Sequence, residues 1–150
     1  MMKKPVLIFL ASDHAGFKLK EKIKDFLILK GHAIFDCGPF NYNPDDDYPD
    51  FIGICAKKVA KTKNSLGIVL GGSGQGEAIA ANKVKGIRAA VIYHFDKKAI
   101  KLSRQHNDAN VLSLGARFLS EKQAIQAVDL WLKTPFSNQA KHKRRIKKLE

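Results

Sequence analysis

Five short apolar runs, each separated from the next by a stretch with helical spacing, constrain this chain more than any other feature of its sequence. PVLIFLA (residues 5–11) has no polar alternation, the pattern of a strand covered on both faces. AIFDC (33–37), LGIVL (66–70), RAAVIY (88–93) and VLSLG (111–115) supply four more short strands. Strand and helix alternating five times argue an α/β fold, a parallel sheet with helices on both faces. Ligands of such sheets bind beyond the carboxyl ends of the strands. That rim collects Asp13-His14, the glycine-rich loop after residue 70, His94 to Asp96, and Gly115 to Arg117.

The intervening segments carry their own signals. Ser12 and Asp13 offer N-cap oxygens to a helix with Leu19, Ile23, Phe26 and Leu27 on one face and Lys18, Lys20, Lys22 and Lys24 on the others, stopped by Gly31. The loop GPFNYNPDDDYPD is full of turn formers and precedes a helix over about 49–62. A helix from near Gly76 ends by Gly86, and Asp96 caps another that runs to about His106. Ser120 and Gln123 form a capping box for a helix carrying Ile125, Val128, Trp131 and Leu132 on one face and stopping before Pro135. A basic helix, roughly 138–149, completes the chain.

With 150 residues, 45% of them hydrophobic, and no internal repeat, the chain reads as a single domain over 1–150. No apolar run approaches the roughly 18–20 residues a membrane span needs, and the N-terminal run is too short and too soon charged for a signal peptide. The expectation is a cytoplasmic protein. Cys37 and Cys55 lack a C-x-x-C partner and suit buried thiols. A formal charge of +13, from 27 lysines and arginines against 14 acids, asks for an anionic partner. Nucleic acid and a small phosphorylated substrate both satisfy it, and so does a lysine-rich solvated surface.

The stretch GIVLGGSGQGEAIAANK (67–83) narrows the choice. A glycine-rich turn feeding a helix N-terminus seats anions through unpaired N–H groups and the helix dipole. Gly71 and Gly76 keep the Walker spacing, but Glu77 stands where that motif has lysine, and no register fits G-x-G-x-x-G. The loop can hold something negative, yet it carries its own base. A carboxylate beside clustered N–H donors can take a proton from a carbon next to a carbonyl while the donors hold the enediolate oxygen, with Ser73 shuttling a hydroxyl proton. The helix dipole depresses the pKa of Glu77, so the acid needs partial burial to work as a base.

Each residue also has a plainer role. Glu77 suits a first helical turn, Asp13 an N-cap, His106-Asn107 a helix end, and Arg117 the surface. The five histidines show no H-E-x-x-H or comparable ligand spacing, Asp45 to Asp47 read as a solvated turn, and Ser73 misses the G-x-S-x-G elbow because Gln75 replaces the second glycine. Neither a metal site nor a serine hydrolase is expected.

SDHAGFKLK, DYPD (47–50), GGSGQGEAIAANKVKGIRAA, SRQHNDANVLSLGAR (103–117) and KHKRRI together resemble the ribose 5-phosphate isomerase B family, which includes galactose 6-phosphate and allose 6-phosphate isomerases. The match spans nearly the whole chain in order. The resemblance implies a Rossmann-like three-layer sandwich around a five-stranded parallel sheet, a homodimer or homotetramer with sites between subunits, and cofactor-free and metal-free interconversion of an aldose phosphate and its ketose. By the same resemblance, Glu77 is the base, His106 opens the sugar ring, and Ser73 handles a proton. The loop Gly72, Ser73, Gly74, Gln75 and Gly76 holds the enediolate. Asp13, Tyr48 and Asn107 match sugar contacts, while His14, Arg117 and Arg145 match phosphate contacts, with Lys141 at a further phosphate position.

Two positions depart from the common family pattern. Many members carry a cysteine base directly before the glycine loop, where this chain has Gly71; Glu77 matches the branch that uses a glutamate after the loop. Lys141 stands where an arginine usually clamps phosphate, keeping the charge but losing the bidentate fork. Three rival readings differ in partner: a six-carbon sugar phosphate as substrate, dependence on a paralogous subunit, and nucleic-acid binding through KHKRRIKK. The last lacks any helix-turn-helix, RRM or KH pattern.

Overall fold

The computed structural model describes residues 5–150. Five strands, β1 (Leu7–Ser12), β2 (Ala33–Asp36), β3 (Ser65–Gly71), β4 (Ala89–Ile92) and β5 (Val111–Gly115), form one parallel sheet in the order β2-β1-β3-β5-β4. Among the described residues six helices complete the fold: α1 (Phe17–Leu29), α2 (Tyr48–Lys61), α3 (Gln75–Asn82), α4 (Lys97–Gln105), α5 (Glu121–Lys133) and α6 (Ala140–Lys147). Among the described residues no helix is long and apolar enough to cross a membrane.

Period-two alternation along the strands divides the core into two layers. Ile8, Leu10, Ile68, Leu70, Leu112 and Leu114 face α1, α4 and α5 through Ile23, Leu27, Ile100, Val128 and Trp131. Phe9, Ala11, Val69 and Val111 face α2 and α3 through Ile52, Ala56, Val59 and Ala81. The result is the expected three-layer sandwich. Cys37 and Cys55 are buried free thiols in the second layer.

The caps of α4 and α5 form as the sequence predicts. Asp96 accepts from the N–H groups of Lys98 and Ala99 at 2.8 and 3.1 Å, and Ser120 with Gln123 closes the capping box. Helix α3 ends at Asn82, ahead of Gly86 as expected, because the Val84 and Ile87 N–H groups bond back into a turn. Two expectations need correction. Ser12 is the buried last residue of β1 rather than a cap, and α1 starts only at Phe17 because Asp13 to Gly16 form a turn packed on Leu70. Lys20 is not on a solvated face: it is fully buried.

Burial of an ammonium demands compensation. Lys20 Nζ donates to both Asp36 oxygens at 2.7 and 2.8 Å and to the Pro39 carbonyl at 2.8 Å. Asp36 also accepts from Lys24 Nζ at 2.9 Å and from the Gly38 N–H at 2.8 Å. Burial alone would raise the Asp36 pKa, but the two ammonium groups and the Gly38 N–H outweigh it and hold the carboxyl below its ordinary value. This network ties the end of β2 and the loop beyond it to α1. Lys20→Ala is expected to destabilise the fold by about 3 kcal/mol, the lower end for breaking a buried pair because Lys24 still neutralises Asp36. Asp36 contributes stability above its unfolded pKa that is lost as pH falls through the depressed folded value. Urea denaturation from pH 3 to pH 7 should therefore show a flatter acid limb in the variant, and an unchanged midpoint would refute the role of the pair.

Candidate active site

The glycine loop begins where β3 ends at Gly71, and its shape is set by the neighbouring strand. Ala116 and Arg117 donate their N–H groups to the carbonyls of Gly71 and Gly72 at 2.8 and 3.0 Å, and Ser113 Oγ donates to the Gly74 carbonyl at 2.6 Å. Gly74 has φ +78°, and a Cβ there would stand 2.9 Å from the Leu114 carbonyl carbon, so only glycine fits this turn. Ser73 Oγ accepts from the Gln75 N–H at 3.2 Å. The N–H groups of Gly72 and Ser73 have no partner among the described residues. They are the donors that the sequence pattern predicts for an anion.

Glu77, in the first turn of α3, is 4% exposed. Its side chain turns back against Gly71, and its carboxylate occupies the volume that a Cβ at position 71 would need. Burial, with a smaller contribution from the charge of Asp13, raises its pKa, while the N–H groups of Glu77 and Gly74 pull the other way. The partial burial that a glutamate base requires is thus present, and it overrides the helix dipole.

Other predicted residues surround this carboxylate. Asp13 is buried and accepts from the Gly16 N–H at 3.1 Å. The Tyr48 ring opens α2 and lies on Gly76, where a Cβ would stand 2.8 Å from the phenol oxygen. Arg117, exposed, crosses Gly72 with Nη1 3.2 Å from the corresponding position. His14 is half-buried beside them, its Nδ1 2.7 Å from Asp46 Oδ1. The Asp46 contact raises the His14 pKa first of all; burial and Arg117 oppose it, and the charges of Asp13 and Asp46 reinforce it.

Asp46 corrects the expectation of a solvated Asp45 to Asp47 turn, because its side chain is only 5% exposed. Nothing in three consecutive aspartates distinguishes the middle one. Their position directly before Tyr48 is the one available signal that the turn abuts the site. His94 is exposed on the same rim, and Asp96 is occupied by its cap.

The remaining predicted residues lie elsewhere. His106 caps the carboxyl end of α4, in the connection that leads to β5. Arg88, just before β4, donates to the Asn107 carbonyl at 3.0 Å. Both residues therefore lie at the amino ends of the strands. His106 stacks on buried His142 of α6 with ring centroids 4.1 Å apart, and α6 carries Lys141 and Arg145, both exposed. The seven residues of β3, at about 3.3 Å each, separate this rim from Glu77 by roughly 20 Å. One chain therefore does not bring Glu77 and His106 together. Among the described residues no group of three His, Cys, Asp or Glu side chains could hold a metal ion.

A carboxylate buried beside free N–H donors stands at the carboxyl rim of a five-stranded parallel sheet whose whole fold matches a known group of proteins. The sequence profile described as ribose/galactose isomerase matches residues 8–149. This chain belongs to the ribose/galactose isomerase family. It is similar to ribose-5-phosphate isomerase B of Mycolicibacterium paratuberculosis, 45% identical over 93% of this chain and 86% of that protein. Among solved structures, ribose-5-phosphate isomerase B from Mycoplasma genitalium with bound ribulose-5-phosphate has a TM-score of 0.90 at 44% identity, covering 95% of this chain and 93% of that one. The Thermotoga maritima enzyme gives 0.89 at 41% identity, with 96% and 97% covered.

Within this isomerase family, the Glu77–Gly71 contact makes a direct prediction. Gly71→Ala should leave the sheet intact but displace the carboxylate, and if Glu77 is the base it should lower kcat by about 10²-fold, the lower range for losing a general base. Circular dichroism and steady-state rates check the two halves separately.

Proposed function

We propose that the chain interconverts ribose 5-phosphate and ribulose 5-phosphate by proton transfer, at a site completed by a second copy of itself. The observation that carries this reading is the Glu77 carboxylate, buried against Gly71 next to the unpartnered N–H groups of Gly72 and Ser73. In the open-chain aldose, Glu77 removes the proton from C2, and the C–H electron pair becomes the C1–C2 double bond as O1 takes the negative charge. The loop N–H groups hold that oxygen, so stabilisation is greatest where charge develops. Glu77 returns the proton to C1, and Ser73 Oγ carries the O2 proton to O1 so that the ketose forms. No electron leaves the sugar. Asp13 and Tyr48 are assigned to its hydroxyls, and His14 and Arg117 to the phosphate.

Electrostatics supports the second copy. The carboxyl rim of one chain sets Asp13, Asp46 and Glu77 against Arg117 and His14, which is a poor seat for a phosphate dianion. Lys141 and Arg145 supply the missing positive charge if α6 of a partner covers this rim, and the same docking brings His106 and Asn107. His106 then opens the furanose by taking the O1 proton and giving one to the ring oxygen. A two-fold pair exchanging rims satisfies both sites at once.

Three measurements test this reading. With EDTA present, Glu77→Gln should lower the rate of ribulose 5-phosphate formation by about 10² to 10⁴-fold; a surviving rate removes Glu77 from its role. Because Glu77 must be ionised and its pKa is raised, kcat/KM should fall on the acid side with a midpoint above the usual glutamate value of about 4.3. Finally, Glu77→Gln and His106→Asn chains refolded together should recover about a quarter of wild-type activity, since half of the random pairs hold one intact site. No recovery would place both residues in the same subunit's site.

A further inference from the structure

The chain devotes a buried carboxylate to His14 that the proton-transfer chemistry does not use. Asp46 Oδ1 accepts from the His14 backbone N–H at 2.9 Å and lies 2.7 Å from His14 Nδ1. Two bonds to one residue fix both its backbone and the plane of its ring, and Nδ1 is committed, which leaves Nε2 as the free nitrogen. Tyr42 meets the ring edge-on with centroids 6.4 Å apart, limiting rotation from another side. The carboxylate is itself held: the Asp46 N–H donates to the Asn43 carbonyl at 3.2 Å, and α2 begins two residues later.

This arrangement is expensive for the fold. Asp46 Oδ2 is buried and makes no hydrogen bond among the described residues, an arrangement that normally disfavours a carboxylate. A structural turn would be served as well by a neutral asparagine, whose carbonyl could accept both contacts. What asparagine lacks is the charge that keeps an imidazole protonated. The groups facing His14 are Asp13 from its own turn, Asp46 from the loop before α2, Arg117 from the loop after β5, and Tyr42. Asp46 is the one that bonds the ring nitrogen.

We infer that Asp46 is a positioning residue for phosphate: it orients His14 and keeps it a cation, so that Nε2–H donates to the phosphate of the sugar. The inference rests on the assignment of His14 to phosphate made above. It separates two duties at the carboxyl rim. Asp13 lies next to Glu77 and raises the base's pKa, while Asp46 acts at the phosphate end on His14. Without Asp46 the rim would hold a neutral imidazole through much of the physiological range.

The test compares wild type, Asp46→Asn, Asp46→Glu and His14→Gln with ribose 5-phosphate between pH 6 and 8.5, alongside NMR titration of the His14 ring in the full-length ¹⁵N-labelled protein. Asp46→Asn is expected to raise KM by about tenfold at the alkaline end, the scale of one hydrogen bond to a charged group, with kcat within about twofold. The difference should shrink toward pH 6, where the raised pKa of wild-type His14 no longer gives it an advantage. His14 should titrate at lower pH in Asp46→Asn, and Asp46→Glu should recover part of the low KM. If His14→Gln raises KM while Asp46→Asn changes neither KM nor the His14 titration, the role of Asp46 is overturned and the phosphate assignment stands. If His14→Gln leaves KM unchanged, that assignment fails and the inference falls with it.

Discussion

The packing of the Glu77 carboxylate on the bare backbone of Gly71 is the contact on which the proposed proton transfer depends. It removes the acid from water, which raises its pKa, and it sets the carboxylate beside the N–H groups of the following loop. It also accounts for the pairing of residues at positions 71 and 77. The family resemblance places a cysteine base at 71 in many members and a glutamate at 77 in others, and the geometry shows one slot shared by both positions. A side chain at 71 takes the space the glutamate needs.

The fold was legible because its signals are local. Apolar strands, the capping box at Ser120 and the cap at Asp96 each depend on a few neighbouring residues, and all appear where the pattern places them. The glycine loop was legible for a related reason: a run of glycines before a helix has few structural uses, and an acid in place of lysine points to a base. Sheet order was not readable, since it depends on which strands meet across long connections.

What escaped the sequence were charges whose partners are remote along the chain. Lys20 looks like its lysine neighbours on α1, yet Asp36 and the Pro39 carbonyl draw it fully inside. Asp46 looks like the acids on either side of it, yet it reaches His14 thirty-two positions away. Burial of a charge is decided by a partner, and a single sequence does not announce the pairing. The two errors share a site: Lys20 and Asp36 anchor the start of the loop whose far end carries Asp46.

The distance between the two rims has a further consequence for how such a protein can evolve. If a second copy completes the site as proposed, each chain presents a donor rim, with His106 and α6, and a recipient rim, with Glu77 and the glycine loop. In such a pair, a defect in one chain's rim disables one of the two sites, and the same defect in both chains disables both. After gene duplication, however, one copy can lose its recipient rim and the other its donor rim while their mixed pair keeps one working site. On that reading, the spatial division within this single chain would be a ready route to obligate heteromers, in which neither polypeptide is an enzyme alone.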